Sequence, residues 1–135
     1  LADGRAMDVW RRMIAAQGGD PDAPLPVARH QETITAEASG FVERLDAMQV
    51  GVGAWRLGAG RARKGDPVQA VAGIELHAKP GDEVTAGQPL LTLHTDTPER
   101  IARAREALDG AVTIAAAPPA VTPLVLDRID GKELA

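Results

Sequence analysis

The densest concentration of chemistry-bearing residues is Gly58-Ala59-Gly60-Arg61-Ala62-Arg63-Lys64-Gly65, where glycine alternates with two guanidinium groups and an ammonium. Gly60 and Gly65 have the spacing of a phosphate-cradling loop. That motif needs Lys and then Ser or Thr after the second glycine, followed by a helix whose N-terminus faces the anion. Here Asp66-Pro67 follows Gly65, and the helix expected nearby precedes the loop. The segment therefore does not match a nucleotide cradle. Two readings stand: a helix-terminating loop whose Arg61, Arg63 and Lys64 are solvated, or a loop that closes over an anionic ligand held by another domain, with arginine as the donor. Gly58, Gly60, Arg61, Arg63 and Lys64 are accordingly the candidate closure-loop residues near an active-site cleft.

The rest of the inventory is thin. The 135 residues include no Cys and no Tyr, which removes a disulfide framework, thiolate zinc sites, a thiol nucleophile and a phenol acid. Ser39, in Ala38-Ser39-Gly40, is the one serine and does not sit in a nucleophile elbow. His30, His77 and His94 are too far apart for a metal-ligand pair on one helix, and His77 and His94 read as strand residues at an edge or interface. Asp20 and Asp22 lack the remaining ligands of a calcium loop, and Asp82-Glu83 reads as a solvated turn. No catalytic residue and no metal ligand is assigned. A net charge of −4 with no aromatic-studded basic patch argues against nucleic acid, and no apolar run is long enough to span a membrane. A cytoplasmic protein is expected. Because the chain opens on Leu1, it is expected to be a piece of something longer.

One domain-sized core is expected, built from Ala, Val, Leu and Ile, since Phe, Trp and Tyr make up only 2% of the chain. Asp3 reads as the N-cap of a first helix with an apolar stripe at Ala6, Trp10, Met13 and Ile14, widened by Val9 and closed by Gly18-Gly19. That face needs a partner. The prolines at 21, 24 and 26 mark an extended linker, assigned to 20–30. Thr33–Ala38 and Phe41–Leu45 read as a hairpin. Asp46 caps a second helix, with Gln49 completing an approximate capping box, and Gly51 and Gly53 inside it imply a close backbone approach. Gly58 reads as its C-cap. Strands are expected at 67–78 and 89–94, a third helix with Thr97 as N-cap and Pro98 and Glu99 behind it, and last strands at 112–114 and 124–126. The order is helix, linker, ββαββαββ, an α+β pattern.

Gly40-x-Val42 and Pro80-Gly81-Asp82-x-Val84-x-x-Gly87-Gln88-Pro89-Leu90 resemble the punctuation of biotinyl or lipoyl carrier domains. Such carriers need an exposed hairpin lysine. Ala47-Met48-Gln49 has Gln there, and Lys79 precedes a turn instead. A carrier or adaptor without a normal attachment lysine is the alternative reading.

Gly4-Arg5-Ala6-Met7-Asp8-Val9-Trp10 through Gln17-Gly18-Gly19-Asp20 resembles the helix leading into the C-terminal domain of thymidine and pyrimidine-nucleoside phosphorylases. Ala38-Ser39-Gly40-Phe41-Val42, Val50-Gly51-x-x-Ala54-x-x-Leu57-Gly58-Ala59-Gly60-Arg61, Asp66-Pro67, Val71-Ala72-Gly73-Ile74 and Gly81-Asp82-x-Val84-x-x-Gly87-Gln88-Pro89-Leu90 follow in that family's order, from about Asp3 to Ile129. The resemblance implies an α/β-hammerhead with a barrel-sandwich-like mixed sheet and flanking helices. It divides the chain into 1–19 continuing from an upstream domain, the linker 20–30, the C-terminal domain proper at 31–130 and a tail at 131–135. It further implies a homodimeric pentosyltransferase whose α and α/β domains hold the active site, with pyrimidine nucleoside and phosphate as substrates and no resident cofactor. The family's phosphate- and base-binding residues belong to upstream segments, so none is carried over, and the chain alone is expected to be inactive.

Overall fold

The computed structural model describes residues 2–120 together with 123, 125 and 127. The element order is α1 (Arg5–Ala16), β1 (His30–Thr35), β2 (Gly40–Leu45), α2 (Ala47–Ala54), β3 (Gly73–Leu76), β4 (Glu83–Val84), β5 (Pro89–Thr95), α3 (Arg100–Leu108) and β6 (Val112–Ala115). This is the α+β architecture expected. The strands form two three-stranded sheets, ordered β1-β5-β3 and β4-β2-β6. Every pairing among the described residues is antiparallel, where a mixed sheet was expected. The hairpin expected of 33–38 and 41–45 does not form: β1 and β2 are consecutive but go to different sheets, because β1 pairs with β5 and β2 with β4 and β6.

Both sheets feed one core. Val42 and Val84 from one, and Leu90, Leu91 and Leu93 from the other, join Leu57, Ala104, Leu108 and Ala111. The core is aliphatic and small, as the composition requires, and α2 must therefore lie close to its neighbours. A β-carbon at Gly53 would stand 3.0 Å from Ile74 Cδ1 and 3.2 Å from Leu108 Cδ2, which is the close approach its place in a helix implied. Gly51 has nothing within 4 Å and faces solvent, so the same inference fails there.

The turns of the Pro80–Leu90 segment stitch the sheets together. Gly81 N–H donates to Val42 O at 2.8 Å and Val42 N–H to Asp82 O at 2.9 Å, while Gly87 N–H donates to Ala36 O and Ala36 N–H to Gln88 O, both at 2.8 Å. Gly40 is required by geometry: its φ is +155°, and a β-carbon there would meet Ala115 O at 2.5 Å.

Several local expectations are corrected. Gly4, in the left-handed region, holds the cap position of α1, although the Asp3 carboxylate still accepts the Arg5 amide. Only Gly73–Leu76 of the 67–78 stretch is strand; the preceding residues form the return path of a loop. β1 begins at His30, inside the segment assigned to the linker, which is pinned by Arg29 N–H donating to Asp96 Oδ1 at 2.9 Å. Asp46 does cap α2, accepting Gln49 N–H at 2.9 Å. The Gln49 amide turns instead to Asp109 O (2.7 Å) and Ala107 O (3.3 Å), so the box is half formed. The strand expected at 124–126 has residues 124 and 126 outside the described ones.

A buried polar clasp joins the end of β5 to α2 and α3. Thr95 follows Leu91 and Leu93 at period two and so points inward with them, fully buried. Its single hydroxyl proton serves Leu57 O at 2.8 Å or Gln69 Oε1 at 3.1 Å, and its oxygen accepts Thr97 N–H at 3.1 Å. Gln69 Oε1 also accepts Asp96 N–H at 2.9 Å, and Gln69 Nε2 donates to Thr97 Oγ1 at 2.8 Å. The Thr97 side chain is thus spent on Gln69 and does not cap α3, which starts at Arg100. Gln69 N–H donates to Gly58 O at 2.9 Å, which closes the loop 58–69.

Two stability predictions follow from this packing, both checked by urea denaturation. Gly51→Ala should stabilise by about 0.5–1 kcal/mol, because helix propensity is its only consequence. Gly53→Ala should fall at least about 1 kcal/mol below Gly51→Ala, because the new methyl must displace Leu108 or Ile74. Thr95→Val, nearly isosteric, should destabilise by about 1–3 kcal/mol by orphaning the buried Leu57 carbonyl. Thr92→Val, which loses bonds to Thr33 and His77 at a partly exposed face, should cost less.

Candidate basic cleft

The glycine loop leaves α2 through a wide turn, Trp55–Ala59, that breaks helical geometry at Gly58 (φ 119°, ψ 7°). That conformation suits glycine alone, and a β-carbon there would also press on Arg100 Nη1 at 2.7 Å and Gln69 Cδ at 3.1 Å. Gly58 therefore ends the helix as expected, but it does so buried beneath α3. Gly60 plays a second part: a β-carbon would lie 2.7 Å from Trp55 Cδ1. The two glycines let Arg100 and Trp55 lie against the loop backbone.

The loop beyond is exposed from Arg61 to Gly65 yet internally bonded. Trp55 Nε1–H donates to Arg61 O at 3.1 Å, Arg61 Nε–H to Asp66 O at 3.1 Å, and Arg63 N–H to Asp66 Oδ2 at 2.8 Å. The loop that the sequence reads as mobile thus has its own scaffold, organised by Asp66.

Between this loop and α3 lies an open cleft of about 400 Å³, lined by Trp55, Arg56, Gly60, Asp66, Arg100 and Arg103 among others. Arg56 is held in place by Arg103 O at 2.6 Å and by Glu106 at 3.5 Å, and its Nε is buried without an acceptor. Among the described residues no ion pair engages Arg61, Arg63, Lys64, Arg100 or Arg103. Of the loop residues singled out in the sequence, Gly60 lines this cleft, Gly58 lies buried against Arg100 and Gln69, and Arg61, Arg63 and Lys64 are exposed on the loop beside it. The sequence reading missed Trp55, Arg56, Arg100 and Arg103, which share the cleft across a separation of more than thirty positions. The signal available was a third helix with arginines at 100 and 103, three apart and hence on one face.

The other candidates are accounted for locally. Ser39 Oγ accepts Ala86 N–H at 3.0 Å. His77, one residue beyond β3, bonds Thr92 Oγ1 through Nε2 at 2.7 Å. His94 lies in β5, the central strand of its sheet, so it is not an edge residue, and its Nε2 is 3.6 Å from Glu75. Asp82 Oδ2 accepts Lys79 N–H at 3.0 Å in a tight turn, and Asp20 Oδ1 accepts Asp22 N–H at 2.9 Å. Met48-Gln49 lies in the first turn of α2, far from any hairpin tip. No group of three His, Asp or Glu suited to a metal occurs among the described residues, and none of their helices is long and apolar enough to cross a membrane.

Comparison with known proteins accounts for this frame. Residues 41–115, from β2 to the end of β6, match the pyrimidine nucleoside phosphorylase C-terminal domain. Over 129 residues the chain is 54% identical to a thymidine phosphorylase of Mycobacterium tuberculosis, covering 96% of this chain and 30% of that protein. Over 134 residues it is 37% identical to a pyrimidine-nucleoside phosphorylase of Staphylococcus haemolyticus, with the same coverage. The chain thus spans about 30% of the length of these relatives. The matched segment takes in α2, the glycine loop, the Thr95–Gln69 clasp and α3, and by this match the chain belongs to the pyrimidine nucleoside phosphorylase C-terminal domain family.

Proposed function

We propose that the chain works as the C-terminal part of a longer phosphorylase polypeptide that uses phosphate to split a pyrimidine deoxynucleoside into free base and 2-deoxyribose-1-phosphate. The observation that carries this reading is the 54% identity to a thymidine phosphorylase along nearly the whole chain. In such a reaction a phosphate oxygen bonds to the anomeric carbon as the bond to the base nitrogen breaks, and the base leaves with the electron pair. Several convergent donors must meet the phosphate and the developing charge on the base. In this reading the other domains of the polypeptide supply that set. The chain's own part is therefore to pack against the domains that carry it and to bring the loop 58–65 to their cleft.

The first helix supports this. Met7, Val9, Trp10 and Met13 expose about half of their surface, and no residue of α1 is buried. An apolar face of that size is stable in water only with a partner, here the α and α/β domains of the same polypeptide. A homodimer in the cytoplasm, with phosphate as co-substrate and no resident cofactor, completes the proposal. The loop suits closure because Arg63 and Lys64 are exposed on a scaffold anchored at both ends, by Gly58 and by Asp66, with Arg61 exposed beside them and steadied through Nε by Asp66 O.

The purified chain should show no thymidine phosphorolysis above a blank; measurable cleavage would refute the reading. In the longer polypeptide, Arg61→Ala with Arg63→Ala should lower kcat/KM roughly tenfold or more with an unchanged melting temperature. Unchanged kinetics would reduce the loop to a connector.

A further inference from the structure

The cleft behind the loop has a character that closure over another domain's ligand does not call for. Its far wall is α3, and the free cations there, Arg100 and Arg103, belong to this chain's own surface. In a chain of net charge −4, the cleft gathers Arg56, Arg100 and Arg103, with Arg61, Arg63 and Lys64 exposed on the adjoining loop, against Asp66 and Glu106. Asp66 is already turned to the Arg63 amide, and Glu106 to Arg56. Such a segregated positive field attracts anions.

We propose that this cleft is a binding site for a small phosphate monoester carrying a planar ring, a nucleoside monophosphate being the simplest member of that class. Three features select the class. Guanidinium forks match phosphate oxygens, and Arg100 and Arg103 have no competing carboxylate. Trp55 is about two-fifths exposed and is fixed at one edge by Arg61 O and by its seat on Gly60, which makes its indole a rigid platform for a flat ring. The volume, about 400 Å³, falls in the range of small-molecule sites. The proposal goes beyond the phosphorolysis reading, since it places a ligand on this chain itself. Arg100 and Arg103, not Arg61 and Arg63, are its decisive residues, so either idea can fail alone.

The test uses the 135-residue chain with Trp10→Phe, which leaves Trp55 as the sole indole. Uridine monophosphate, uridine and inorganic phosphate are each titrated while indole fluorescence is followed. Uridine monophosphate should give a saturable change by millimolar concentration, with uridine and inorganic phosphate each at least about tenfold weaker. Arg100→Gln with Arg103→Gln should weaken it by about tenfold or more, and Arg12→Gln on α1 should leave it unchanged. No saturable response to uridine monophosphate in the parent chain would overturn the proposal. So would inorganic phosphate or uridine binding as tightly, or equal losses in the Arg12 variant and the double variant.

Discussion

The hydroxyl of Thr95 and the carboxamide of Gln69 meet at the one point where the end of the central strand, the exit of α2, the return of the glycine loop and the entry to α3 come together. Three backbone groups depend on these two side chains, the carbonyl of Leu57 and the amides of Asp96 and Thr97, and the backbone amide of Gln69 holds the carbonyl of Gly58. A helix that ends inside a protein leaves carbonyls that must find partners. Here they find them in a side chain that the strand's alternation turns inward and in a loop residue that returns to them. Without the clasp the core strand would still pair with its neighbours, but the angle between the glycine loop and α3 would rest on the packing of Leu57 and on Arg56, bonded to Arg103 O and paired with Glu106.

That angle matters because it sets the distance between the two walls of the cleft. Its walls are the wide turn at Trp55–Ala59, the loop to Asp66 and the first turn of α3; the clasp ties the turn to the loop's return and to the entry of α3, while Trp55 bonds Arg61 O and Arg56 bonds Arg103 O. The small aliphatic core helps from behind. Leu57, fully buried in the turn itself, anchors the turn in the core it shares with Leu93, Ala104 and Leu108. With almost no aromatics available, packing depends on close approach, and Gly53 is where α2 meets α3 most tightly.

Much of the frame could be read from the residues alone. Asp46 as a cap and the glycine-bearing turns at 81 and 87 rest on local chemistry that one short window contains. The misses share a cause in tertiary context. Thr97 and Asp3 have the side chains of caps, but Thr97 is drawn to Gln69 and Asp3 to Arg5. The apolar residues between 67 and 72 look like a strand, yet they serve the loop's return path. Gly51 and Gly53 are indistinguishable in sequence, and only the packed neighbours tell them apart. The candidate loop was legible as a cluster of glycine and charge. The far wall of its cleft was not, because Arg100 and Arg103 reach it from a helix whose placement depends on the clasp.

Residue-resolved amide hydrogen exchange tests the central claim most directly. If the clasp holds the loop base as firmly as the core, the amides of Gln69, Asp96 and Thr97 should exchange as slowly as those of Leu91 and Leu93 in β5, and in Thr95→Val they alone should become fast. Exchange of the Gln69 amide at the rate of the exposed residues Arg61–Gly65 in the unaltered chain would contradict the account, since the loop and α3 would then be held apart from the core by something other than this contact.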